Sequence, residues 1–104
     1  MRENRHPALK LLHATLNGVR LPIGLAVKVK SAGMRSGCPD IYLDVPMGSY
    51  HGLRIELKRR KGGVVSLEQE WWMGELSNRG YQAVVANGAQ QAIEIICDYL
   101  GIEQ

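Results

Sequence analysis

Asp40, Glu56 and Lys58 are the residues of this sequence whose types and spacing suit a reaction. Two converging carboxylates can share a hard divalent cation. Mg²⁺ takes oxygen ligands at about 2.0–2.1 Å in octahedral geometry, with water or phosphate in the remaining positions. Metal binding acidifies a water and offsets the charge that builds on a phosphate under in-line attack. An ammonium on the same side would orient that water or stabilise the pentacovalent phosphate. Lys58 suits that role; accepting a proton would require a lowered pKa, which sequence does not show.

Two strands must deliver these groups. Ile41, Leu43 and Val45 alternate with Asp40, Tyr42 and Asp44, and Leu53, Ile55 and Leu57 alternate with Arg54, Glu56 and Lys58. Each set reads as a strand with one apolar face. The stretch from Pro46 to Gly52 is turn material, which predicts an antiparallel hairpin. With Val45 opposite Leu53, Asp40 faces Lys58 and Glu56 is the diagonal neighbour of Asp40, about 7–8 Å away between Cα atoms. Lys58 then lies about 7 Å beyond Glu56 on the same side. The backbone carbonyl of Leu57 offers a further ligand. A register shift by two keeps the face and alters the distances. On spacing alone, Arg-Glu-Lys alternation is more ordinarily the wet face of a strand.

The rest of the chain supplies a frame. Its 104 residues predict a single domain over 1–104, and 45% apolar content is enough for a core. Residues 7–18 fit a helix or a strand equally, and so do residues 22–32. Ser66-Leu67-Glu68-Gln69 is a capping box that opens a helix, with Gly80 placed to end it. Residues 81–86 form a short strand and Asn87-Gly88 a turn. A last helix carries Ile93, Ile96, Cys97 and Leu100 on one stripe and ends at Gly101. The fold class is α/β, a small mixed sheet flanked by helices.

The net charge of +3 favours an anionic partner modestly. The run Lys58-Arg59-Arg60-Lys61, followed by Gly62-Gly63, is either a solvated surface or a phosphate contact. Cys38 and Cys97 stand far apart and share no metal-ligand spacing with His6, His13 or His51. That speaks against a zinc site or a disulfide scaffold and for reduced thiols in a cytoplasmic setting. No apolar run approaches a membrane span, and the first residues lack a signal-peptide core.

Gly37-Cys38-Pro39-Asp40, Gly52-Leu53-Arg54-Ile55-Glu56-Leu57-Lys58 and Gln69 at a helix opening together resemble the VRR-NUC family, of the viral and phage type, within the PD-(D/E)XK nuclease superfamily. That family's pattern is a G-x-P-D at a strand start, an apolar-x-E-x-K strand, a basic glycine-containing loop and a helix bearing Gln. The likeness runs through Gly80-Tyr81 and the last helix, over roughly residues 9 to 100. It implies a restriction-endonuclease-like core, metal binding by Asp40 and Glu56, and catalytic help from Lys58 and Gln69. Gln69 also has a full structural role in the capping box; the active-site role is favoured because a helix N-terminus beside a phosphate site helps hold an anion.

In similar sequences, the segment matching residues 9–17 is the first strand and that matching residues 22–32 a helix. Those relatives carry an earlier helix with an acidic residue that completes the metal site. Glu3 is a poor substitute here, so the site either works without it or draws on a partner subunit. Asn17 and His13 are better explained by a strand-end turn and a partly buried histidine. Base stacking is conceivable for Trp71 or Trp72, but packing in the core and at an interface or helix flank is favoured. Asp44 reads as surface and Tyr42 as a groove residue.

The resemblance implies an endonuclease dependent on Mg²⁺ or Mn²⁺ that acts on branched DNA, as a homodimer similar to Holliday-junction resolvases, in the cytoplasm (the host's, if phage-encoded). Arg35, Lys58, Arg59, Arg60, Lys61 and Arg79 are the candidate phosphate contacts. No sequence-reading motif is present. The rival is a non-catalytic nucleic-acid-binding protein with the same basic face.

Overall fold

The computed structural model describes residues 7–14, 38–58 and 64–103. Glu3, Asn17, Arg35, Arg59, Arg60, Lys61 and the expected helix over 22–32 lie outside them.

Among the described residues, a short 3-10 helix, Pro7–Leu11, precedes four strands and two α-helices. The strands are β1 (Leu12–Ala14), β2 (Ile41–Leu43), β3 (Leu53–Lys58) and β4 (Gln82–Asn87), in the spatial order β1-β2-β3-β4. The first two pairings are antiparallel and β3–β4 is parallel, so the sheet is mixed. A parallel pair requires a crossover. Helix α1 (Leu67–Asn78) supplies it, and helix α2 (Ala89–Leu100) follows β4. The ambiguity over residues 7–18 resolves in part: Leu9 lies in a 3-10 helix that ends at Leu11, and the strand begins only at Leu12.

The odd-numbered residues of β2 and β3 face the core. Leu43, Leu53 and Ile55 are fully buried and cluster with Ala86, Ala92, Ile96, Tyr99 and Leu100. Each large aliphatic side chain there contributes about 1.5–3 kcal/mol by leaving water. Helix α2 therefore covers the odd face, and it ends at Gly101 in the left-handed conformation.

Helix α1 begins at the expected cap. Ser66 Oγ accepts from the Gln69 N–H, and the Gln69 side chain accepts from the Ser66 N–H. The helix closes at Gly80, whose φ of +90 is open to glycine. A Cβ there would sit 2.6 Å from the His51 ring.

The hairpin register differs from expectation. Ile41 pairs with Ile55 and Leu43 with Leu53, so Val45 is not opposite Leu53 and Asp40 does not face Lys58. Extending the ladder by one residue sets Asp40 against Glu56. Strand β2 is also shorter than the alternation suggests. The chain leaves the sheet after Leu43 and turns through Met47–Tyr50, whose backbone groups bond each other at 3.0 and 2.9 Å. The Val45 carbonyl is taken by the Tyr99 hydroxyl at 2.6 Å instead of by a strand. Either register buries the same apolar set; the longer loop and the Tyr99 anchor select this one.

Among the described residues, no helix is long and apolar enough to cross a membrane.

Candidate active site

Parallel pairing of β3 places α1 on its even face, so Arg54 and Glu56 are not on a wet surface: both are buried. That overturns the exposed-face reading of the Arg-Glu-Lys alternation. Gln69 of the crossover helix lies over Glu56 and the rings of Tyr42 and Tyr81 lie over Arg54; neither the helix nor Tyr81 is visible to a two-strand view.

Arg54 is matched on all sides. Its guanidinium lies over the Tyr42 ring at 4.0 Å and the Tyr81 ring at 4.6 Å, bonds the Leu53 carbonyl at 3.1 Å and pairs with Asp44 at 3.1 Å. Tyr42 thus stacks on Arg54, and Asp44 is an ion-pair partner that keeps about half its side chain in water. His13 lies 3.8 Å from Asp44, edge-on to Tyr42 and on the Arg54 side of the sheet.

Two residues further along β3, Glu56 is held on one oxygen only. Oε2 accepts from Gln69 Nε2 at 2.7 Å and lies 3.7 Å from Lys58 Nζ; Oε1 is buried with no hydrogen-bond partner. Burial pushes the Glu56 carboxyl up to about 7, the Asp40 carboxylate beside it adds to the rise, and the Lys58 ammonium opposes it. Lys58 Nζ donates to Gln69 Oε1 at 2.9 Å. One carboxamide therefore links the acid, the ammonium and the helix cap. Gln69 closes the capping box and also touches both Glu56 and Lys58.

Asp40 is positioned by backbone geometry. The carbonyls of Gly52 and Lys58 accept from Gln82 and Gly88, so the even-numbered backbone groups of β3 face β4 and the odd-numbered ones face β2. Strand β2 starts only at Ile41, which leaves the Leu57 N–H beyond its end. Asp40 Oδ2 accepts that N–H at 2.8 Å. By strand alternation the Leu57 carbonyl faces the same side as its N–H.

These features fit a divalent cation. A buried carboxylate sits beside the half-buried Asp40, one oxygen of Glu56 has no hydrogen-bond partner, and oxygen donors of this kind suit Mg²⁺ or Mn²⁺. Among the described residues no group of three His, Cys, Asp or Glu side chains forms a metal site. Asp40 and Glu56 are the side chains that could hold such an ion, with the Leu57 carbonyl on the same strand edge.

The VRR-NUC domain model matches residues 15–90 of the sequence. The chain belongs to the VRR-NUC family. A solved structure described as a VRR_NUC domain protein shares 31% identity with it and superposes with a TM-score of 0.77, covering 100% of this chain and 79% of that one. No curated protein matches. The VRR-NUC assignment carries a nuclease-type α/β fold.

Within this VRR-NUC domain, Asp40, Glu56, Lys58 and Gln69 come together. Arg79 does not join them. It pairs with Glu75 at the far end of α1, about 15 Å from Gln69 by helical rise. Lys58 is largely enclosed and engaged with Gln69, which sets it within this cluster. Trp71 is exposed, Trp72 is half-buried, and the two rings meet edge to face at 5.6 Å. The sequence reading missed the Arg54–Tyr42–Tyr81–Asp44 stack. Tyr42 and Arg54 on adjacent strands with the same parity hinted at half of it; Tyr81 arrives only through the parallel strand.

Proposed function

We propose that this VRR-NUC domain is an endonuclease that hydrolyses DNA phosphodiester bonds with Mg²⁺ or Mn²⁺. The observation that carries the reading is the buried, partnerless Oε1 of Glu56 set against Asp40. A second carboxylate beside a buried one costs free energy without a cation between them.

Asp40, Glu56 and the Leu57 carbonyl would hold the ion. When bound, it would lower the pKa of a water and offset charge on the scissile phosphate. The chain's own groups do the positioning. Asp40 is fixed by the Leu57 N–H, and Glu56 is braced by the Gln69 Nε2–H. Lys58 presents its ammonium beside them, with one proton on Gln69 Oε1 and the others free for an attacking water or a phosphate oxygen.

Branched DNA is the proposed substrate and a homodimer the proposed assembly. Both rest on the likeness to junction-cleaving members of the family, since a two-fold dimer suits symmetric cuts in a four-way junction. The test incubates labelled junction, flap and plain duplex DNA with the protein, with and without Mg²⁺, beside Asp40→Ala and Glu56→Ala. The expected result is metal-dependent cleavage of branched substrates that both variants lose while salt-sensitive binding survives. Equal cutting of plain duplex would remove the branch preference. A wild type that cuts nothing in any metal would favour the non-catalytic binding protein.

A further inference from the structure

Two networks with separate purposes meet on one atom, Gln69 Oε1. It accepts from the Ser66 backbone N–H at 2.9 Å and from Lys58 Nζ at 2.9 Å, while Nε2 of the same carboxamide donates to Glu56 Oε2 at 2.7 Å. A primary carboxamide has two orientations that exchange its acceptor and donor ends. In the other orientation its N–H groups would confront a backbone N–H and an ammonium, and its oxygen would confront a carboxylate.

Of the three partners, two can move. Lys58 ends a flexible four-carbon stem, and Glu56 has its own rotamers. The Ser66 N–H belongs to the backbone of the N-cap, at φ −73 and ψ 164, and is held there because Ser66 Oγ accepts the Gln69 N–H at 3.1 Å. It is the rigid donor of the set.

Resting on the nuclease reading above, we propose that the Ser66 backbone N–H is a positioning group for the reaction: it locks the Gln69 carboxamide in the orientation that anchors the Lys58 ammonium and braces Glu56. A capping box ordinarily stabilises a helix start, and its glutamine reaches back only to the cap. Here that reach also turns the carboxamide toward β3. The start of α1 and the reactive cluster are then one unit, and loosening the cap amide misdirects two reactive groups at once. Small misplacements of such groups cost up to about a hundredfold in rate.

The experiment separates the N–H from the hydroxyl. Ser66→Pro removes both, and the φ of −73 lies within proline's range. Ser66→Ala removes only Oγ. An amide-to-ester replacement at position 66, introduced by semisynthesis, removes only the N–H and serves also if the proline variant fails to fold. Tyr99→Phe, which loses the bond to the Val45 carbonyl away from the site, controls for stability alone.

Cleavage kinetics and Tm are measured for each. A hydrogen-bond coupling between the Ser66 amide nitrogen and the Gln69 side-chain carbonyl carbon is read by NMR without metal or DNA. The expected result is a tenfold to hundredfold loss of kcat, with KM little changed, for the proline and ester variants. Ser66→Ala should lose markedly less at a similar fall in Tm, and the coupling should persist in Ser66→Ala. Tyr99→Phe should lower Tm and leave kcat in place. The inference is overturned if the ester variant cuts like the wild type, or if kcat falls in step with Tm across all variants. A wild type inert in every metal would overturn the nuclease reading, and this inference with it; an active wild type with an equally active ester would overturn this inference alone.

Discussion

Arg54 and Glu56 lie two residues apart on the same face of β3, and both are buried and ionisable, yet their surroundings differ. The Arg54 end is closed: two aromatic rings, a carbonyl and a carboxylate account for its guanidinium. The Glu56 end is open: one oxygen is braced by Gln69, the other has no hydrogen-bond partner, and the charges acting on it include a second acid. A buried charge with every partner in place stabilises or specifies the fold, whereas one left incomplete is held for something that arrives later. On the proposed reading, the contrast divides the polar face into a structural half and a reactive half.

The largest effect that would sharpen this division is at the open end. Glu56→Gln should reduce metal-dependent cleavage by about a thousandfold or more, since it removes an anionic ligand whose loss costs several kcal/mol in the transition state. Its metal-free Tm at pH 8 should be equal to or above that of the wild type. A variant with a lowered Tm and retained cleavage would break the comparison.

At the closed end the balance should reverse. Arg54→Met should cost about 2–3 kcal/mol of stability, because Asp44 is left unpaired and two rings lose their cation, although Asp44 can rehydrate. Below the variant's melting temperature, cleavage per folded molecule should stay within a few-fold of the wild type. Urea melts and single-turnover rates on the same samples check both.

The pH dependence follows from Glu56. Its folded pKa, about 7, stands above its unfolded value of 4.5, so the folded state binds the proton more tightly. This contribution to stability is complete below pH 4.5 and is lost as pH rises through 7. The metal-free protein should therefore lose Tm across that window, Mg²⁺ or Mn²⁺ should recover it above pH 7, and Glu56→Gln should flatten the slope. The smallest effect is expected at Tyr99→Phe, about 1 kcal/mol for the lost bond to Val45 with cleavage untouched.

Much of this division was legible in the sequence, for physical reasons that also mark its limits. Period-two alternation assigns Asp40, Glu56 and Lys58 to one face and Leu43, Leu53 and Ile55 to the other, because parity decides which face a side chain takes. Parity cannot choose between registers that differ by two, so the pairing of Leu53 with Val45 was wrong and Leu43 took its place. Ser66 and Gln69 announce a helix cap through spacing along one chain. That the same Gln69 reaches Glu56 depends on where the crossover lays α1, which no local pattern encodes. Arg54 looked wet for the same reason: its covering rings come from one residue on an adjacent strand and another twenty-seven positions later, Tyr81. The apolar stripe of α2, through Ile96, Cys97 and Leu100, was readable from its own sequence because it packs on one side only.

The claim that the Glu56 end is built for a cation is tested most directly by calorimetric titration of Mn²⁺ into the wild type, Glu56→Gln and Arg54→Met in parallel. The account predicts saturable binding by the wild type and by Arg54→Met, and none above background by Glu56→Gln. Binding of equal affinity by Glu56→Gln would contradict it.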